Sequence, residues 1–247
     1  MVLSGVRTRL HLLASRVHKW LAIIIGIQLL LWFASGTLMS VLPIERVRGE
    51  HLVDRSPATL PADTVLPDPA RLARAAGAPV QSLTHRMLLG RPVVEIVTAR
   101  GTRLFDAATG APLAPPGAAE AERIVRSAWR GEGRPAAKID RIETESTEYR
   151  GPLPAWQVEL ADKDATRVFV AADTGKITAV RTSTWRLYDF FWGLHIMDWK
   201  NHENFNTPWL LAFAIGGLVF WLGGAILLYM RWPIRRRARR KLAESSS

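Results

Sequence analysis

Cysteine is absent from the 247 residues, which excludes disulfides, thiolate-held iron–sulfur clusters and thiol chemistry. No HExxH, CxxC, GxSxG or phosphate loop occurs, so hydrolytic and nucleotide chemistry lack their signatures. Acids are missing from the chain before Trp20, and after Met230 only Glu244 remains. Charge of either sign is missing from Trp20–Leu42 and again from Trp209–Met230. These gaps organise everything that is present.

The formal net charge is +11, from 33 Lys and Arg against 22 Asp and Glu. Arg7, Arg9, Arg16 and Lys19 precede the first uncharged run. Arg231, Arg235, Arg236, Arg237, Arg239, Arg240 and Lys241 follow the second. Ten of the eleven units therefore sit at the two ends, and the middle is one unit from neutral. Basic tips around a balanced middle do not make a groove for a phosphate backbone, so nucleic acid is not an expected partner.

The uncharged runs are 23 and 22 residues long. At about 1.5 Å per residue each covers roughly 33–35 Å, enough for a hydrocarbon core of about 30 Å. The first run is too long for a signal-peptide core, and no cleavage pattern follows it, so it reads as an uncleaved anchor. Basic tips stay in the cytoplasm by the positive-inside rule, which places the loop between the spans in the periplasm of a bacterial inner membrane. The expected layout is a cytoplasmic N-terminus (1–17), a first span (18–42) and a periplasmic domain (43–182). An amphipathic interfacial helix with its loop (183–206), a second span (207–230) and a cytoplasmic tail (231–247) follow. Membrane lipid is thus a partner.

Residues 68–113 and 117–181 read as two copies of one unit, a helix followed by antiparallel strands. Asp68-Pro69 and Gly77 bracket a short helix, and a second is expected over Ala118–Trp129. Strands are expected at Val80–Leu88, Pro92–Ala99, Ala137–Glu145, Trp156–Leu160 and Arg167–Ala172. Each copy closes on Thr-Gly, at Thr109-Gly110 and Thr174-Gly175. Gly131–Arg134 and Tyr149–Pro154 read as loops.

The helix-plus-strands unit ending in Thr-Gly resembles a PepSY domain. The flanks resemble the PepSY-associated transmembrane family: Val17-His18-Lys19-Trp20-Leu21, Ser35-Gly36-Thr37 and Gly193-Leu194-His195-Ile196-Met197-Asp198. The resemblance implies an α+β membrane protein, with two transmembrane helices flanking a periplasmic domain of two PepSY-like repeats. Larger members carry four or more spans, and some resemble siderophore or ferric reductases that hold b-type haem between histidines. With two spans here, the resemblance implies a homodimer, haem b as cofactor, a cytoplasmic electron donor, and ferric iron or a ferric siderophore as acceptor. The alternative is a non-enzymatic membrane-anchored module that binds or restrains a periplasmic protein. No catalytic residue can be assigned.

Of the six histidines, His51 and His85 read as surface or packing residues. His11 and His18 share a face of the helix entering the first span. His18 reads either as an interfacial side chain or as an axial haem ligand, with Arg16 or Lys19 holding propionates. Trp185, Trp192 and Trp199 recur every seven residues on an expected helix over Ser183–Asn201, capped by Ser183 or Thr184. That stripe is either an aromatic belt or a wall for a macrocycle beside His195, with Met197 and His202 as further ligands and Asp198 orienting an imidazole. His18 and His195 lie on opposite sides of the bilayer and cannot share an iron. Gly216-Gly217 and Gly223-Gly224 offer close helix approach, within one chain or between two, and Gln28, Ser35, Thr37 and Ser40 offer interhelical hydrogen bonds.

Overall fold

The structure is a computed structural model that describes residues 2–231, with side chains over 19–222 and 224–225. The side chains of His11, Arg16 and His18 and most of the basic tail therefore lie outside the described residues. The chain divides into Leu42–Asp189 and a helical unit of Met1–Val41 with Phe190–Ser247.

In Leu42–Asp189, a short helix α2 (Ile44–Val47) leads to two segments of similar plan. The first is α3 (Pro69–Ala76) followed by the antiparallel meander β1 (Val80–Leu88), β2 (Arg91–Thr98) and β3 (Gly101–Asp106). The second is α4 (Ala118–Ala128) followed by β4 (Ala137–Ile142), β5 (Ala155–Leu160), β6 (Arg167–Ala171) and β7 (Ile177–Arg181), in that order across the sheet. The Asp68 carboxylate accepts from the Ala70 N–H, and Gly77 ends α3 at φ +69°, a conformation that favours glycine. Leu72, Val94, Ile96 and Phe105 form the core of the first segment. Val125, Val158, Val168 and Val170 belong to that of the second.

The segments are joined by charge. Buried Glu95 on β2 accepts from Arg86 at 3.0 Å and from Lys176 at 2.6 Å, while Arg86 also donates to the Thr174 carbonyl. The second Thr-Gly turn is thereby held against the first sheet. Tyr149 lies in the expected loop, between β4 and β5, and its side chain is buried. It stacks on Phe169 with centroids 4.6 Å apart and donates to the Pro152 carbonyl. Glu148 beside it accepts from Arg186 at 2.7 Å and Arg167 at 3.1 Å.

The helical unit holds α1 (Val2–Val41), the end of α5 (Ser183–Ile196) and α6 (Pro208–Arg231). Within α1, Lys19–Val41 is the one described stretch long and apolar enough to cross a membrane; the described apolar part of α6, Pro208–Leu222, is shorter. A side chain at Gly216 would come within 3.3 Å of Ile25, and one at Gly217 within 3.8 Å of Leu29, so this glycine pair serves packing within the chain. Gly224 meets nothing within 4 Å.

Candidate functional site

α5 begins at Ser183 and is capped one residue before the expected Ser183 or Thr184, because the Thr182 hydroxyl accepts from the Trp185 N–H at 3.1 Å. It stops at Ile196, five residues short of the expected helix, for a visible reason. Met197 takes φ +55°, and the Asp198 carboxylate gathers the N–H groups of Lys200, Asn201, Glu203 and Asn204 at 2.9–3.4 Å. Those hydrogen bonds, from Asn204 and Glu203 first, hold the Asp198 carboxyl well below the usual carboxylate range. Trp199 consequently leaves the stripe and is exposed.

The last turn of α5 carries His195. Its Nδ1 lies 2.8 Å from the Ser35 hydroxyl of α1, and its carbonyl accepts from the Trp32 indole N–H at 2.8 Å. That carbonyl is one of the four that a helix end leaves without an internal partner. Trp32 and Ser35 are three residues apart and so share a face of α1, which clamps both the backbone and the ring of one residue. Ser35 is almost fully buried, and its Oγ also lies 2.7 Å from the Leu31 carbonyl.

Beside this clamp runs an open groove of about 550 Å³ lined by Trp32, Phe33, Gly36, Thr37, Ser40, Val41 and His195. Phe33 is 70% exposed, so an aromatic face is presented rather than packed away. A Cβ at Gly36 would lie 3.6 Å from His195 Cε1, ordinary contact distance, so glycine leaves the edge of the imidazole uncovered. The groove has the elements a flat macrocycle needs: an imidazole, two aromatic rings, and small residues between them.

His202 is placed otherwise. Its ring covers Gly193, where an added Cβ would meet it at 2.3 Å, and its carbonyl accepts from Trp192 Nε1 at 3.0 Å. Gly193 and His195 are two residues apart, about 200° around a helix, so the two imidazoles occupy nearly opposite faces of α5. Trp192 packs edge-on against Phe205, with centroids 5.4 Å apart, and turns toward the loop rather than the groove. Met197 is buried at the helix end. Lys19 is exposed and lies sixteen residues before Ser35, about 24 Å along α1. Among the described residues, no group of three or more His, Cys, Asp or Glu forms a metal cluster.

Sequence reasoning passed over Trp32 and assigned Ser35 only a general interhelical role. The available signal was a Ser-Gly pair at the same end of the first apolar run as the His195 segment. Asp198, expected beside an imidazole, organises the loop through backbone N–H groups, and Ser35 holds His195 Nδ1. Of the other expected polar contacts, Ser40 bonds its own Gly36 carbonyl, and Gln28 Nε2 is buried without a partner among the described residues.

A family model described as the PepSY-associated TM region matches residues 15–246, and the chain belongs to that family. No curated protein and no solved structure matches the chain.

Proposed function

As a member of a membrane family defined by its PepSY-associated transmembrane region, we propose, this chain is a b-type haem electron-transfer protein of the bacterial inner membrane. Its acceptor is periplasmic ferric iron or a ferric siderophore. The observation that carries the reading is His195: an imidazole clamped at backbone and ring, on the wall of an open aromatic groove. Haem, when bound, supplies one-electron transfer.

The chain's own residues would hold and orient it. His195 would hold it through its imidazole, Trp32 and Phe33 would line its site, and Gly36 would keep the approach clear. His18, with Arg16 and Lys19 for propionates, would serve a second haem near the cytoplasmic face. Residue 18 precedes Ser35 by seventeen positions of continuous helix, about 26 Å, which requires separate irons. A symmetric homodimer, in which a two-fold axis brings identical patches together, would let the second copy contribute the further residue needed to hold each haem. His202 and Met197 are the reserve ligands, and His202 would act on the opposite face of α5. A cytoplasmic partner supplies the electrons. The two helix-plus-meander segments are PepSY-like repeats that shape access from the periplasm, and α6 is the second span.

The test is the colour of the protein. Purified in detergent from cells supplied with haem, it is expected to show a Soret band, and its reduced form to be reoxidised by a ferric chelate. Colourless protein would overturn the proposal in favour of a membrane-anchored PepSY module that binds or restrains a periplasmic protein.

A further inference from the structure

Ser35 contributes one hydroxyl proton to a crowded, nearly solvent-free position. Its Oγ lies 2.7 Å from the Leu31 carbonyl, 3.2 Å from the Trp32 carbonyl and 2.8 Å from His195 Nδ1. A carbonyl oxygen only accepts, so an oxygen–oxygen separation of 2.7 Å needs the serine proton between the two atoms. If Ser35 gave that proton to His195 instead, two oxygens would face each other at hydrogen-bond distance with no hydrogen to join them. The hydroxyl proton therefore belongs to the helix carbonyl, an interaction common for serine within an apolar helix. What remains on Oγ is acceptor capacity, and among the described residues the group placed to use it is an N–H on His195 Nδ1.

We infer that Ser35 is a positioning residue: it fixes the neutral His195 imidazole as the Nδ1–H tautomer and so leaves the Nε2 lone pair for iron. The inference rests on the haem reading for its purpose, but the tautomer itself follows from proton counting at three distances. Metal-binding histidines characteristically donate their second ring N–H to a fixed acceptor, which sets both tautomer and ring plane. Here the acceptor is a neutral hydroxyl anchored on the preceding turn of α1. It holds the ring without adding charge to an apolar span. The Trp32 indole N–H on the His195 carbonyl fixes the same residue at its backbone, so rotation about the side chain is the freedom that Ser35 removes.

The inference separates Ser35 from a residue that merely packs. Ser35→Ala deletes the acceptor and leaves a gap of one oxygen, while Ser35→Thr keeps a hydroxyl able to bond the same carbonyl. Nitrogen-15 NMR of the haem-free full-length protein in detergent, labelled at histidine and held at mildly alkaline pH, reads the tautomer of His195. The wild type is expected to carry its proton on Nδ1, Ser35→Ala to lose that preference, and Ser35→Thr to recover it. Haem titration followed at the Soret band is expected to weaken about 10- to 100-fold in Ser35→Ala, the usual cost of losing an outer partner of a metal ligand. A wild-type His195 protonated on Nε2 would overturn the inference even if the protein binds haem, and needs no variant to fold. A tautomer unchanged by Ser35→Ala would overturn it as well. A Nδ1–H signal that responds to Ser35 in a protein that takes up no haem would uphold the positioning role and refute the haem function.

Discussion

His195 and His202 lie seven residues apart at the end of α5, and their surroundings differ in kind. Around His202 the contacts are packing contacts: the ring lies against Gly193, Trp192 donates to its carbonyl, Phe205 meets the Trp192 edge, and Asp198 ties up the loop's N–H groups. Around His195 only one side is closed. Ser35 and Trp32 hold the ring and the carbonyl, and the other side is a groove with an exposed phenylalanine at its wall. His195 sits in the last turn of α5 and His202 in the loop that follows it, and both imidazoles lie against that helix. What separates them is the neighbour. At Gly193 the ring fills the space a side chain would take, whereas at Gly36 space remains beside the ring.

The contrast can be broken most forcefully at the two glycines. Gly193→Ala forces a carbon to 2.3 Å from the His202 ring, and overpacking of this kind costs about 1–3 kcal/mol. The expected result is a lower midpoint of thermal unfolding for the α5 end, followed by tryptophan fluorescence in detergent. Gly36→Ala meets only an ordinary contact at 3.6 Å and should be neutral or stabilising by up to about 1 kcal/mol from helix propensity. Equal destabilisation by both substitutions would erase the distinction between the two faces. Asp198→Ala removes a charged acceptor shared by four N–H groups, with an expected loss of about 2 kcal/mol. Hydrogen exchange of residues 200–204 should speed up, while that of the Trp32–Ser35 turn should not. Trp192→Phe keeps a ring on Phe205 but deletes the bond to the His202 carbonyl, for about 1 kcal/mol.

Acid should act on the loop in the same direction. The Asp198 carboxyl titrates below its unfolded value, so the folded loop binds fewer protons than the unfolded one. Its contribution is fully present above about pH 4, near the unfolded carboxylate value, and fades as pH falls toward the folded one. Glu148 follows the same sign: burial raises its pKa, but hydrogen bonds and charge from Arg186 and Arg167 outweigh that and leave it lowered. Acid titration monitored by NMR should release residues 200–204 below about pH 4, and Asp198→Asn should flatten that dependence.

Local signals explain what was legible beforehand. Asp68 and Gly77 cap α3 as their residue types dictate, and the strands of both meanders follow alternation bounded by turn residues. The end of α5 was not legible, because Trp199 continues a seven-residue spacing while the decisive event is a carboxylate at Asp198 outcompeting the helix for N–H groups. Tyr149 lies in the loop expected there, but its burial was not legible for a related reason, since it depends on Phe169, twenty residues on. His195 could be singled out from its flanking residues, but its partners could not. Ser35 and Trp32 are 160 and 163 positions away, and only the packing of α1 beside α5 within the helical unit brings them to the same ring and carbonyl.

The central claim is that the His195 face of α5 is the ligand-binding face and the His202 face is the structural one. The most direct measurement compares Soret absorption of detergent-purified wild type, His195→Ala and His202→Ala at equal protein concentration. The account predicts a spectrum lost or shifted in His195→Ala and kept in His202→Ala, even where the latter lowers thermal stability. A spectrum lost in His202→Ala and unchanged in His195→Ala would contradict it.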